Sequence, residues 1–287
     1  MANKGLQFEH AVMYHATVMV DNKSSDQQVA FEKASKAYAS IPSDIKTKAN
    51  ELVQQYAPRS TDLRAKQSYY SSFEKMSGGG EEPKTDIKFE SGGTKYRCSM
   101  KWGKSFQLTS AGIDKSAAVL EKVLKKTIKE CGGGREDKQA LAHIQAILER
   151  MTEKFENNTG TIMQSKARAL MTDVRKTGGL NEQFQEVLGS RKKPHVAEVY
   201  ECFKYNLTHE CMTGALQFGK SSDKTATHLL TESGIVPISK AEVAKVMAVA
   251  GVRLAMKGRG RDKVTGLRRN CIVVSYEVKW QTHTLNT

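Results

Sequence analysis

The chain has 287 residues, 45 of them Lys or Arg against 31 Asp or Glu, for a formal charge of +14 with 39% hydrophobic residues. That length holds one large domain or two ordinary ones with their own cores, which excludes peptide-sized and fibrous designs. A pI near 9.5 and a mean hydropathy of −0.52 point to a polyanion partner, nucleic acid first, and no apolar run reaches the roughly 18 residues of a membrane span.

Residues 5–20 read as a helix, or a helix running into a strand, with Leu6, Phe8, Val12, Met13 and Val18 apolar. Lys4 brings a charge to the N-terminus with no long apolar stretch, so no secretory signal is expected and the expected compartment is a cytoplasm. Helices follow over 25–40 and 43–57, separated by Pro42 and closed by Pro58, with Ser43-Asp44 as the second N-cap. Gly78-Gly79-Gly80-Glu81-Glu82-Pro83 is a joint by composition. Beyond it, Thr85–Glu90 and Thr94–Trp102 alternate around Gly92-Gly93 and predict a β-hairpin.

Helical spacing returns over 114–129 and ends at Gly132-Gly133-Gly134. Mostly helical segments are expected over 136–156, 161–176, 180–188, 194–218, 223–232 and 240–250, with strands over 252–257 and 271–280 around a basic loop. These boundaries predict an α/β part over 1–131, with a helical insertion at about 24–75, and a mainly helical part over 135–287. Its closing hairpin either stays with the helical part or returns to the first sheet, and the second arrangement would make the chain one domain with a helical insertion. The five cysteines are odd in number, irregularly spaced and without a CxxC, so neither a disulfide framework nor a zinc ribbon is indicated. Cys202, His209 and Cys211 can be drawn as metal ligands, but they sit in a helical pattern that more simply buries the cysteines.

Chemistry concentrates on the first hairpin. Asp86 opens one strand, and Ser99 and Lys101, two apart on the next, leave the same face. A carboxylate and a lysine on adjacent strands suit phosphodiester hydrolysis: the carboxylate holds Mg²⁺, and the lysine orients water or stabilises developing charge. Glu9 on the first helix could complete the acidic cluster. Exposed strand and helix positions would explain the same residues without catalysis.

Glu9 following Gly5 and Phe8, Pro83-Lys84-Thr85-Asp86, and Ser99-Met100-Lys101 together resemble the motif series of the PD-(D/E)xK nuclease superfamily. Lys101-Trp102-Gly103-Lys104-Ser105-Phe106-Gln107-Leu108-Thr109-Ser110 is similar to a segment of phage-encoded proteins. The resemblance covers about residues 4–130. It implies a restriction-endonuclease-like small mixed sheet flanked by helices, a DNA substrate and a Mg²⁺ cofactor.

Catalytic roles then fall to Glu9, Asp86, Ser99 and Lys101, and metal ligation to Glu9 and Asp86 with Asp114 or Glu90. Two departures stand out. Pro83 is two residues removed from pairing with Asp86, and Ser99 stands where a carboxylate is usual. Some restriction endonucleases of the superfamily carry Ser-x-Lys and take the missing carboxylate from a later helix. Asp114 opens such a helix here, and Glu90 shares a strand face with Asp86. Without a third carboxylate the resemblance implies a degenerate fold, a DNA-binding or virion structural protein that does not cut.

A second E-x-K, Glu277-Val278-Lys279, lies on the closing strand 15 positions after Asp262, and salt-bridge residues of an edge strand would explain it equally. The densest basic run spans 257–269, with Lys257, Arg259, Arg261, Lys263, Arg268 and Arg269 against one acid. Three glycines there let the backbone approach phosphates, which predicts non-specific DNA affinity. Arg191-Lys192-Lys193 is a shorter one. Nothing in the sequence fixes an oligomeric state.

Overall fold

The computed structural model describes residues 4–56, 64–65, 83–91, 94–102, 113–131, 194–249, 251–261 and 268–277. The protein is mixed α/β and divides into two compact units, Met1–Lys104 with Met212–Ser239, and Ser105–Cys211 with Lys240–Thr287. The division differs from the expected boundary near 131–135: residues 212–239 belong with the N-terminal unit, although more than a hundred residues separate them in the chain.

In the first unit, α1 (Lys4–Val18), α2 (Ser25–Tyr38) and α3 (Ser43–Tyr56) follow the expected helical stretches. A capping box fixes the start of α2: Ser24 Oγ accepts from the Gln27 amide, and Gln27 Oε1 accepts from the Ser24 amide. The sheet holds β1 (Arg64–Ala65), β2 (Ile87–Ser91), β3 (Thr94–Lys101), β4 (His228–Thr231) and β5 (Gly234–Pro237) in that order. The pairs β1–β2, β2–β3 and β4–β5 are antiparallel, and β3–β4 is parallel. A parallel pair needs a long crossover, and the intervening chain supplies one.

The pleat divides the sheet's two faces. Ile87, Phe89, Cys98, Met100 and Leu230 turn toward the helices and form one core with Phe8, Val12, Met13, Ile45 and Leu52. Phe8 meets Trp102 with ring centroids 5.2 Å apart. Residues of the other parity, Lys88 and Glu90 on β2 and Arg97, Ser99 and Lys101 on β3, share the opposite face. Gly219–Thr227 is tied to that face: the Arg97 guanidinium donates to the carbonyls of Ser222 and Lys220, Lys88 pairs with Asp223 at 2.9 Å, and the Lys84 amide donates to the Lys224 carbonyl.

Residues 223–232 correct the expected helix there. They form a turn and then β4, because Thr227 N–H reaches Arg97 O at 2.8 Å and starts the pairing with β3. Tertiary pairing overrides a short, ambiguous apolar run. The insertion expected at about 24–75 is helical over α2 and α3 but also carries β1 into the sheet.

Burial lowers the pKa values of His10, His15 and His228, the Arg97 charge adding to the effect at His228. His15 Nε2 also lies 2.9 Å from the Tyr38 hydroxyl. A folded-state pKa below the unfolded value leaves the unfolded chain binding more protons. The stability these groups contribute is therefore complete above the ordinary histidine value of 6.5 and lost as pH falls through it. The urea midpoint is expected to drop between pH 7.5 and 5.5, and replacing the three histidines by Gln should flatten that slope.

In the second unit, α4 (Ile113–Cys131) buries Val119, Leu120, Val123 and Leu124, and α5 (Pro194–Thr213) buries Phe203 and Leu207. Asn206 joins the two helices: its amide donates to Thr127 Oγ1 at 3.1 Å and Glu130 Oε2 at 3.0 Å, and its carbonyl accepts from Lys126 at 2.6 Å. Lys126 and Asn206 hold the Glu130 carboxyl below its usual range. After α5 come α6 (Ala215–Phe218), in the first unit, and α7 (Lys240–Val249), in the second.

The chain ends in β6 (Gly251–Arg261) and β7 (Arg268–Glu277), an antiparallel ribbon that forms its own sheet and does not rejoin the first one. Its strands also run through most of the expected basic loop. The segments 136–156, 161–176 and 180–188, and Lys279, lie outside the described residues.

Candidate functional site

Asp86 sits one residue before β2 and is 3% exposed. Its amide donates to the Cys98 carbonyl at 2.8 Å, so the backbone stays against β3 just before β2 begins. Its Oδ2 accepts from the Met100 amide at 2.7 Å and from Ser99 Oγ at 3.2 Å. The carboxylate thus takes the place of a missing strand residue, satisfying an amide that the ladder leaves open. Lys101 lies two residues beyond Ser99 on the same face, diagonal to Asp86 and within the reach of a long side chain. The structure brings Asp86 to Ser99, and Lys101 shares their side of the sheet.

The other expected ligands are placed differently. Glu90 does share the face of Asp86, but it lies four residues along the strand, roughly 13 Å away at 3.3 Å per residue. One ion cannot be bound directly by both, and Lys88, held by Asp223, stands between them. Glu9 is half-buried on α1, in the helical layer that covers the opposite face. Asp114 falls in the first turn of α4, in the second compact unit, and its side chain is outside the described residues. Among the described residues, no group of three His, Cys, Asp or Glu side chains is arranged to hold a metal ion.

Burial, with the Asp86 charge beside it, pushes the Cys98 thiol far above its ordinary range, so Cys98 is a protonated core residue and not a nucleophile. In the second unit Cys202 is disulfide-bonded and Cys211 is a buried free thiol. That disulfide departs from the expectation drawn from cysteine spacing, and it removes Cys202 as a thiolate ligand. His209 instead stacks on Tyr205, with ring centroids 6.2 Å apart.

One literal motif lies outside the residues expected to form the site. Gly214-Ala215-Leu216-Gln217-Phe218-Gly219-Lys220-Ser221 matches GxxxxGK[ST] letter for letter. A phosphate-binding loop of that pattern joins a strand to a helix and turns its amides to the ligand. Here it follows the end of α5, and the Phe218 and Gly219 amides are spent on the carbonyls of Gly214 and Ala215. Gly214 has φ +69°, and a Cβ there would stand 2.6 Å from Lys84 Cγ, so this glycine serves close packing. Arg97, which clamps Gly219–Thr227, is the other residue missed. Its partners are more than 120 positions away in sequence and leave no local signal.

Lys257, Arg259, Arg261, Arg268 and Arg269 belong to β6 and β7, and Lys263 lies outside the described residues. The register sets Arg261 directly opposite Arg268, with an irregularity between Gly258 and Arg261. No helix among the described residues is long and apolar enough to cross a membrane. Compared with known proteins, the chain matches no family model, no curated protein and no solved structure.

Proposed function

We propose that the chain binds DNA and that its first unit is a PD-(D/E)xK-like nuclease core hydrolysing phosphodiester bonds. One observation carries the reading: Asp86 meets Ser99, and Lys101 shares their face of β3, in a small mixed sheet backed by helices. The +14 charge supports the polyanion partner. Mg²⁺ is the cofactor this reading calls for, and it would supply a water of lowered pKa. The described residues do not by themselves make up its ligand set, so no step is assigned to it. What they offer is a fixed carboxylate at Asp86 and an ammonium at Lys101 able to meet a phosphate oxygen or orient a water.

A second reading, a non-catalytic phage DNA-binding or virion structural protein on a degenerate nuclease fold, is favoured by the use of Asp86. Its Oδ2 already accepts two hydrogen bonds at 3% exposure. The two readings part in a cleavage assay over supercoiled, linear, single-stranded and branched DNA with Mg²⁺ or Mn²⁺. Divalent-dependent products are expected. Binding without any product under both metals would leave the second reading standing.

A further inference from the structure

The segment Gly219–Thr227, in the first compact unit, is held by one row of the sheet. Lys88 on β2 and Arg97 on β3 are cross-strand partners, two residues from Asp86 and Ser99 and so about 7 Å from them along the strands. Both hold the segment: Lys88 pairs with Asp223, and the Arg97 guanidinium donates to the carbonyls of Lys220 and Ser222. The Ser222 amide and Thr225 Oγ1 donate to the Gly219 carbonyl and close the turn. Gly219 has φ +88°, and a Cβ there would meet nothing within 4 Å. Unlike Gly214, this glycine answers to backbone conformation alone.

Hydrogen bonding in the turn is one-sided. The carbonyls of Gly219, Lys220 and Ser222 accept from within the fold, whereas the amides of Lys220, Ser221 and Asp223 have no acceptor among the described residues. Lys220 and Ser221 are exposed. Consecutive open amides are the positive ends of peptide dipoles and attract an anion. Side-chain charge adds to them. No carboxylate among the described residues pairs with Lys220 or Arg97, and Lys88, Arg97, Lys220 and Lys224 outnumber Asp223 and the neighbouring Asp86.

We infer that the turn Gly219–Lys224 is a binding site for a backbone phosphate of DNA, with the Lys220 ammonium, the Ser221 hydroxyl and the amides of Lys220 and Ser221 as its donors. The match is one of charge. A phosphodiester carries a single negative charge, which one ammonium and two amides can meet, whereas the triphosphate of a free nucleotide calls for a helix N-terminus behind the loop. Here a strand, β4, follows. A phosphate at the turn lies beside the row of Asp86 and Ser99 and not on it, which makes the turn a positioning contact for a strand next to them. The inference rests on the DNA partner of the proposed function but uses neither a metal nor Lys101, so binding at the turn and hydrolysis can fail separately.

The test is fluorescence anisotropy of the full chain with a 20-base-pair DNA duplex in EDTA, where hydrolysis plays no part. Lys220→Gln should flatten the log-log salt slope by about 0.9 and lower affinity at 0.1 M salt roughly 8-fold, the effect of one lost phosphate contact. Lys36→Gln removes the same charge from an exposed position on α2 and should change neither. An unchanged slope in Lys220→Gln, or an equal loss in Lys36→Gln, would overturn the inference, and a wild-type chain that binds no duplex would overturn the DNA partner with it. Acetylation of the wild-type chain, read by mass spectrometry, serves if the variant fails to fold. Duplex DNA should shield Lys220 and leave Lys36 reactive, and full acetylation of Lys220 at saturating duplex would sink the site. Equal shielding of Lys220 by micromolar ATP would make the ligand a free nucleotide and overturn the DNA assignment.

Discussion

Lys101→Ala is expected to lower divalent-metal-dependent DNA cleavage by at least about a hundredfold, the scale on which a group that moves a proton or stabilises transition-state charge acts. Lys279→Ala should leave it unchanged. Lys101 ends β3 on the face that Ser99 and Asp86 share. Glu277 instead pairs with Gly251 at the base of a separate two-stranded sheet. Glu277 of the literal E-x-K thus belongs to the ribbon, and the looser S-x-K to the mixed sheet. DNA affinity in EDTA should change little in either variant, since each removes one charge from a +14 chain. Loss of cleavage in Lys279→Ala with retention in Lys101→Ala would move the active site to the ribbon.

What the sequence discloses is what local forces determine. The helices over 25–38 and 43–56 follow from spacing, Pro42 and their caps, and the β2–β3 hairpin from alternation around Gly92-Gly93. The contact of Asp86 with Ser99 is legible for the same reason, because a hairpin register fixes it over 13 positions. β4 is not legible: His228-Leu229-Leu230-Thr231 is four residues long, fits a helix or a strand, and is decided by β3 some 130 positions earlier. Glu90 misleads in another way, since sharing a strand face with Asp86 says nothing of how far along the strand it lies. The run Gly258–Arg261 reads as loop by composition. It pairs with β7 at Gly258–Asn270 and, after a register shift, at Arg261–Arg268, as an extension of the paired residues 251–257.

Asp86 has two candidate duties, and the second prediction separates them. As a structural acceptor it satisfies the buried Met100 amide and the Ser99 hydroxyl. Asp86→Ala leaves that amide unpaired, which should cost about 1–3 kcal/mol in urea unfolding. Asp86→Asn keeps an acceptor oxygen of the same reach, so its stability should lie much closer to wild type. Metal ligation answers to charge as well as shape: a neutral amide oxygen is a poor substitute for a carboxylate on a hard divalent ion. Cleavage should therefore fall by at least about a hundredfold in Asp86→Asn, the scale of a lost transition-state interaction, although the fold survives. Wild-type cleavage by a stable Asp86→Asn would leave Asp86 only its hydrogen bonds. Hydrolysis would then have to be sought elsewhere in the chain, and the mixed sheet would keep Asp86 for the amide it pairs.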